Sequence, residues 1–268
     1  MTKAPPVVLT AAGSDPSGGA GIQGDLKTIQ QHGGYGAAVL TLITVQNSFG
    51  VEQVEHLSAD LVRSQLANLL GDIEPRAAKT GALGSRAVIH VLGSVMAQTD
   101  FPWVVDPIWL PSRGQPLARG DVVDAYKEAL LSRAALVTPN AQEAALLAQR
   151  PVRTLAEARD AAQAIGDLGA AAVLVKGGHL EQRDRGTDVL LFEGDLHEFP
   201  PGEVVDGEFH GTGCALSAAI ATRLAFGEPL PEAVRKAKVW LGAALREAFG
   251  VGKDARPVNH LVEVRDKP

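Results

Sequence analysis

The segment VVLTAAGSDPSGGAGIQGDLKTIQQHGGYGAAVLTLITVQN, residues 7–47, contains one whole structural period of the chain. Its apolar run over 7–13 reads as a buried strand. A glycine-dense loop follows, and apolar residues at helical spacing over 21–34 read as a helix ended by the Gly33–Gly34 pair. A second apolar run over 37–47 reads as the next strand. Strand, glycine-rich loop, helix and strand in this order mark an α/β chain.

Outward from this segment the alternation continues. Helices are expected over 58–73 (with Ser58 as N-cap), 85–98, 121–131, 141–149 and 155–169, and near 212–226 and 230–249. Strands are expected over 77–81, 103–107, 135–140 and 171–178, with a hairpin over 187–200 turned at Glu193-Gly194-Asp195. Strands alternating with helices imply a three-layer α/β/α fold with a mostly parallel central sheet. No linker, compositional break or repeat divides the 268 residues, so one domain over 1–268 is the expectation.

Composition narrows the function. A formal net charge of −6 with no basic run argues against broad nucleic-acid binding. One cysteine forms no internal disulfide, and no Cys/His cluster has zinc spacing. The start carries no secretory signal pattern, and no apolar run approaches a membrane span. A soluble cytoplasmic protein is the expectation.

On open α/β sheets, ligands bind beyond the carboxyl ends of the strands. The polar clusters of this chain recur there: GSDPSGGAG after the first strand, then QN, KTG, DP, TPN, KGG and HGTGC. In HGTGC, Gly211, Thr212 and Gly213 precede a long apolar helix, whose first N–H groups favour an anion. The same field lowers the pKa of Cys214 if its sulfur lies at the helix start. The motif fits an anion site or a small buried cysteine behind a turn, and spacing leaves both open. The loop over 13–25 has neither a GxGxxG nor a Walker A pattern, so it is a ligand-approaching loop or an ordinary turn. Asp106 and Glu143 could hold Mg²⁺, though Glu143 equally suits a helix start. Lys176 could meet a phosphate or be solvated. Trp103 and Trp109 read as packing residues. His32, His56 and His90 show no metal spacing.

Eight strings in order, AAGSDPSGGAGIQGDLKT, VQNSFGV, KTGALG, VVDPI, TPNAQEAALL, LVKGGH, HGTGCALSAAIA and KAKVWLGAAL, resemble the hydroxymethylpyrimidine/phosphomethylpyrimidine kinases of thiamine biosynthesis, in the ribokinase-like superfamily. The resemblance implies ATP and Mg²⁺ as cofactors and successive phosphorylation of 4-amino-5-hydroxymethyl-2-methylpyrimidine and its monophosphate. It places Gly13, Asp15, Ala20, Gln46, Ala82 and Ile108 around the small-molecule pyrimidine substrate, where Gln46 offers a donor and an acceptor. It assigns Asn140, Glu143, Lys176, Gly177 and Lys238 to ATP, and Asp106 and Glu143 to the metal. Gly211, Thr212 and Gly213 form its anion hole, and Cys214 stands where most sugar kinases of the superfamily carry an Asp base. A homodimer is also implied, with neither a nucleic-acid nor a membrane partner.

The chain departs from the family pattern at Ala82, commonly Met, and at Ser112, where many relatives have Lys; Arg113 is adjacent and is not its equivalent. Three other readings stay open. A pyridoxal kinase of the same branch can carry a second, lid cysteine, which is absent here. A non-catalytic regulator would bind nucleotide or pyrimidine without consuming ATP. A sugar kinase would carry its usual Asp at position 214, where this chain has Cys.

Overall fold

The computed structural model describes residues 4–109, 114–120 and 122–264; Ser112 and Arg113 lie outside them. The expected alternation resolves into β1 (Val7–Ser14), α1 (Gly21–Gln31), β2 (Tyr35–Asn47), β3 (Gly50–His56), α2 (Ala59–Leu70), β4 (Ala77–Thr80), α3 (Arg86–Met96), β5 (Trp103–Val105), α4 (Val123–Ala129), β6 (Leu136–Val137), α5 (Ala141–Ala148), α6 (Leu155–Gly166), β7 (Ala172–Val175), β8 (Asp188–Phe192), β9 (Asp195–Phe199), β10 (Phe209–His210), α7 (Thr212–Ala225), α8 (Leu230–Arg246) and β11 (Arg256–Pro257).

Nine strands form one sheet in the order β3-β2-β1-β4-β5-β6-β7-β8-β9. The six strands from β2 to β7 in that order run parallel. β3 joins one edge antiparallel, and the β8–β9 hairpin joins the other. The residues of β4 to β7 are all buried, because helices cover both faces. Helices α2 to α6 enclose one core with Leu9, Ala78 and Val105. Helices α1, α7 and α8 enclose the other with Val8, Val104 and Leu174. This is the three-layer α/β/α arrangement.

Local chemistry fixes the helix starts. Ser58 accepts from the Leu61 N–H and Ser85 from the Val88 N–H. Asn140 with Glu143, and Thr154 with Glu157, are reciprocal capping boxes. Trp103 and Trp109 are buried, the latter against Tyr126 with ring centroids 5.5 Å apart. His32 packs edge-on against Trp240, and His90 is exposed.

The sequence reading misses β3. The run GVEQVEH carries apolar residues only at Val51 and Val54, and its remaining positions are polar, as suits a protected sheet edge. Among the described residues, no helix is long and apolar enough to cross a membrane.

Candidate active site

The chain fills the sheet from β1 outward in both directions, so the loops after β1 and β4 part where the strand order reverses, the place where such sheets bind ligands. A cavity of about 610 Å³ opens there, within the usual size of small-molecule sites. Of the residues singled out from sequence, Gly13, Asp15, Ala20, Gln46, Ala82, Ile108, Asp106, Asn140, Glu143, Lys176, Gly211 to Cys214 and Lys238 all line it. Gly177 does not; its neighbour Gly178 does.

One wall is built by β1, β2 and the loop after β1. Strand alternation sends Leu42, Thr44 and Gln46 of β2 into the cavity, while Ile43 and Val45 face outward. Asp15 organises the loop: its carboxylate accepts from the N–H of Ser17, Gly19 and Ala20, and from the Ser17 hydroxyl. It also meets His210 Nε2 at 2.8 Å. Burial works to raise this carboxyl, but the hydrogen bonds from His210 and Ser17 outweigh it and hold it below the usual range.

Gln46 joins the same cluster, its carboxamide 3.1 Å from His210 Nε2 and 3.1 Å from Thr44 Oγ1. The Thr44 hydroxyl lies 2.9 Å from the Ser14 carbonyl and 3.1 Å from Gln46 Oε1, and shares its one hydrogen between these two acceptors. Gln46 Nε2 lies 3.1 Å from His210 Nε2. One Gln46 N–H is left to point at a ligand.

The floor is the start of α7. Its N-cap is Gly211 at φ 84°, and no side chain caps the helix, so its first amides face the cavity unneutralised. A Cβ at Gly211 would overlap the Gly19 carbonyl, so this glycine lets the two glycine loops touch. A Cβ on Gly213 would stand 3.0 Å from Lys176 Nζ and 3.7 Å from Asp106 Oδ2, so the lysine abuts the helix start. Lys176 Nζ is 2.7 Å from Asp106 Oδ1. Burial opposes the lysine's charge, but Asp106 and Glu143 outweigh it and keep a cation there. Thr138 also donates to Asp106 Oδ1, and Ser217 donates to its Oδ2.

Glu143 is 4% exposed, and its Oε2 accepts from the Asn140 N–H at 2.7 Å. Burial pushes its carboxyl up to about 7 against the pull of Lys176, with Asp106 pushing the same way. The Asn140 side-chain oxygen is committed to the Gln142 and Glu143 amides. Lys238 reaches across from α8, but its ammonium bonds Asp188 Oδ2 and the Gly186 carbonyl, both at 2.6 Å. Asp188 in turn accepts from the Gly177 N–H at 2.8 Å. Gly177 and Lys238 thus clasp the loop between β7 and β8, and the Lys238 ammonium keeps one proton beyond these two bonds.

Cys214 lies half-buried in the third position of α7 and lines the cavity. The expectation of a lowered thiol pKa does not hold. Burial pushes the thiol up to about 12; Lys79 and the Gly21 N–H oppose this, while Asp25 and Asp106 add to it. Desolvation of the anion outweighs the helix field.

Sequence reasoning overlooked four contributors. His210 stands within the HGTGC motif but carried no metal spacing. Thr44 is an ordinary strand residue. Lys79 is fully buried in β4, and Asp25 pairs with it from α1. The one available signal was a lysine inside KTG, at the end of a strand too short to reach solvent.

Residues 15–259 match the family model described as phosphomethylpyrimidine kinase. The chain is 45% identical over 259 residues to the hydroxymethylpyrimidine/phosphomethylpyrimidine kinase of Rhizobium meliloti (strain 1021), covering 95% of this chain and 97% of that one. It is 40% identical over 260 residues to the thiamine biosynthesis bifunctional protein ThiED of Geobacter sulfurreducens, covering 97% of this chain and 53% of the relative. In three dimensions it is similar to the pyridoxal kinase from Staphylococcus aureus in complex with AMP-PCP and pyridoxal, with a TM-score of 0.86, 33% identity and coverage of 96% and 94%.

Proposed function

The chain belongs to the phosphomethylpyrimidine kinase family, and we propose from this premise that it moves the γ-phosphoryl group of ATP onto the hydroxymethyl oxygen of 4-amino-5-hydroxymethyl-2-methylpyrimidine. It then phosphorylates the monophosphate to the diphosphate, in thiamine biosynthesis. One observation carries the reading: an uncapped helix start, with the half-buried Lys176 against it, lines one cavity together with Cys214 and with Asp15, Thr44 and Gln46.

In this reading Gly13, Asp15, Ala20, Gln46, Ala82 and Ile108 hold the pyrimidine, with the free Gln46 N–H directed at a ring nitrogen. The amides of Thr212, Gly213 and Cys214, with Lys176, hold the transferring phosphoryl group. Asn140 and Glu143 lie on the nucleotide side. The hydroxyl oxygen bonds to the γ-phosphorus while the bond to the β–γ bridging oxygen breaks, and Cys214 takes the hydroxyl proton. Such transfers have a loose transition state, so positioning and charge neutralisation supply most of the acceleration and proton removal is late.

The residues present fit Mg²⁺. Glu143 has one oxygen uncommitted to its cap and feels the charge of Asp106, and Mg²⁺ takes one or two carboxylates with substrate phosphates completing its shell. Glu143 would hold the ion, and Asp106 would act mainly through Lys176. The ion supplies neutralisation of phosphate charge. The exposed Ile43, Val45 and Phe49 on the β2–β3 hairpin support a homodimer. The single cysteine and the ATP requirement fit action in the cytoplasm.

The test is ATP consumption with mass analysis of products, run with the pyrimidine alcohol, its monophosphate and pyridoxal in parallel. The expected result is a monophosphate from the alcohol, a diphosphate from the monophosphate, and slower turnover of pyridoxal. A folded protein that leaves the alcohol unchanged contradicts the reading.

A further inference from the structure

His210 touches Asp15 and Gln46 on one wall of the cavity and directly precedes the helix start on its floor, yet no step of the transfer uses it. Its Nε2 lies 2.8 Å from Asp15 Oδ2, and the Gln46 carboxamide packs 3.1 Å from the same nitrogen. Asp15 already accepts from the amides of Ser17, Gly19 and Ala20 and from the Ser17 hydroxyl, as an ionised carboxylate does. The hydrogen in the 2.8 Å contact therefore sits on His210 Nε2, which donates it. The Asp15 side chain is 4% exposed and that of His210 21%, so water competes little for this charge-assisted bond.

The two ends of the bond belong to different parts of the site. Asp15 heads the loop after β1, and His210 runs into Gly211, the N-cap of α7. In the kinase reading that loop holds the ring and α7 holds the phosphoryl group. The main chain of His210 is fixed from outside the cavity: β10 pairs with β11, and the Val258 N–H donates to the His210 carbonyl at 3.3 Å. The imidazole lies on Gly19, where a Cβ would come 2.8 Å from His210 Cδ2. Gly19 in turn abuts Gly211, where a Cβ would overlap the Gly19 carbonyl. Packed glycines keep the loop and the helix start from moving closer together. The bond from His210 to Asp15 is directed the other way and opposes their separation.

We propose that His210 is a positioning residue for the phosphoryl transfer: by donating to Asp15 it ties the loop after β1 to the start of α7, and so sets the reach from the substrate's hydroxyl oxygen to the γ-phosphorus. His210 exchanges no proton with the substrate. A displacement of about 1 Å at the reacting atoms can cost about a hundredfold in rate, so a tie of this kind acts on turnover more than on affinity. The inference rests on the kinase reading for the reaction, whereas the tie itself is measurable without turnover.

His210→Phe keeps a flat ring on Gly19 and removes the donor, while Asp15 retains its three amides and the Ser17 hydroxyl. With the pyrimidine alcohol, kcat is expected to fall about 10- to 100-fold, with the KM values for alcohol and ATP each within about threefold. His210→Gln offers a carboxamide N–H in place of Nε2–H and is expected to bring kcat back to within about fivefold of the parent. A residue that only contacts the ring would raise the KM for the alcohol and leave kcat alone. Amide hydrogen exchange at residues 17–20 of the ligand-free protein is expected to be about fivefold or more faster in His210→Phe than in the parent. If His210→Phe does not fold, His210→Leu takes its place. An unchanged kcat, a loss confined to the KM for the alcohol, a Gln variant as slow as the Phe variant, or unchanged exchange overturns the proposal. A parent that is inactive on the alcohol while its His210→Phe variant still exchanges faster overturns the kinase reading and leaves the tie standing.

Discussion

At the scale of single residues, Cys214 and Glu143 share one protonation problem: burial favours the neutral form of each. The Cys214 thiol is pushed up to about 12 by burial, so the anionic form is scarce at neutral pH and grows tenfold with each pH unit. Turnover of the pyrimidine alcohol is expected to climb still between about pH 8 and 9.5 in the parent. In Cys214→Ala it is expected to be flat over that span and about 10²–10⁴-fold slower. A mutant within a few-fold of the parent makes Cys214 a packing residue. Glu143 has a folded-state pKa of about 7 against an ordinary 4.5, so between those values the native state holds a proton that the unfolded chain has lost. Stability attributable to Glu143 therefore falls as pH rises from about 4.5 to 7 and stays reduced above that. Glu143→Gln preserves the cap geometry without the charge. Thermal melts should show it matching the parent near pH 4.5 and exceeding it by several degrees at pH 8. Equal melting temperatures at pH 8 would contradict the raised pKa.

At the scale of elements, the loop between β7 and β8 is held by a clasp. Lys238 of α8 grips Asp188 of β8, which grips the Gly177 amide after β7. Both charged side chains are nearly buried, so removing one strands the other. Lys238→Met should cost about 3–5 kcal/mol in chemical denaturation, and adding Asp188→Asn should recover most of that loss. A Lys238→Met loss below about 1 kcal/mol would put the pair in the class of surface ion pairs. The elements differ in how far sequence reveals them. Helices α2, α5 and α6 declare themselves through Ser58, Asn140 and Thr154, whose side chains satisfy the first amides. β3 is silent because a sheet edge is stabilised by pairing with β2 more than by burial of its own side chains. The clasp is silent too, because an Asp and a Lys 50 positions apart carry no mark of their pairing.

At the scale of the whole molecule, order along the chain and place in the sheet are separate facts. The recurrence of polar clusters after apolar runs was legible, because strands buried on both faces read as apolar and their ends do not. So were the cavity's main residues from Gly13 to Cys214, which lie in those clusters. The buried charges Lys79 and Asp25 were not, since they depend on which side of the sheet α1 and α7 cover. The claim that joins these levels is that one cavity holds the nucleotide and the ring together across the start of α7. The most direct measurement is a crystal structure of the protein with the pyrimidine alcohol, Mg²⁺ and a non-hydrolysable ATP analogue. The account predicts the γ-phosphate against the amides of residues 212–214 and Lys176, the ring against Gln46, and the hydroxyl oxygen between the phosphorus and Cys214 Sγ. Ring and nucleotide bound in separate hollows, or a γ-phosphate away from α7, would contradict it.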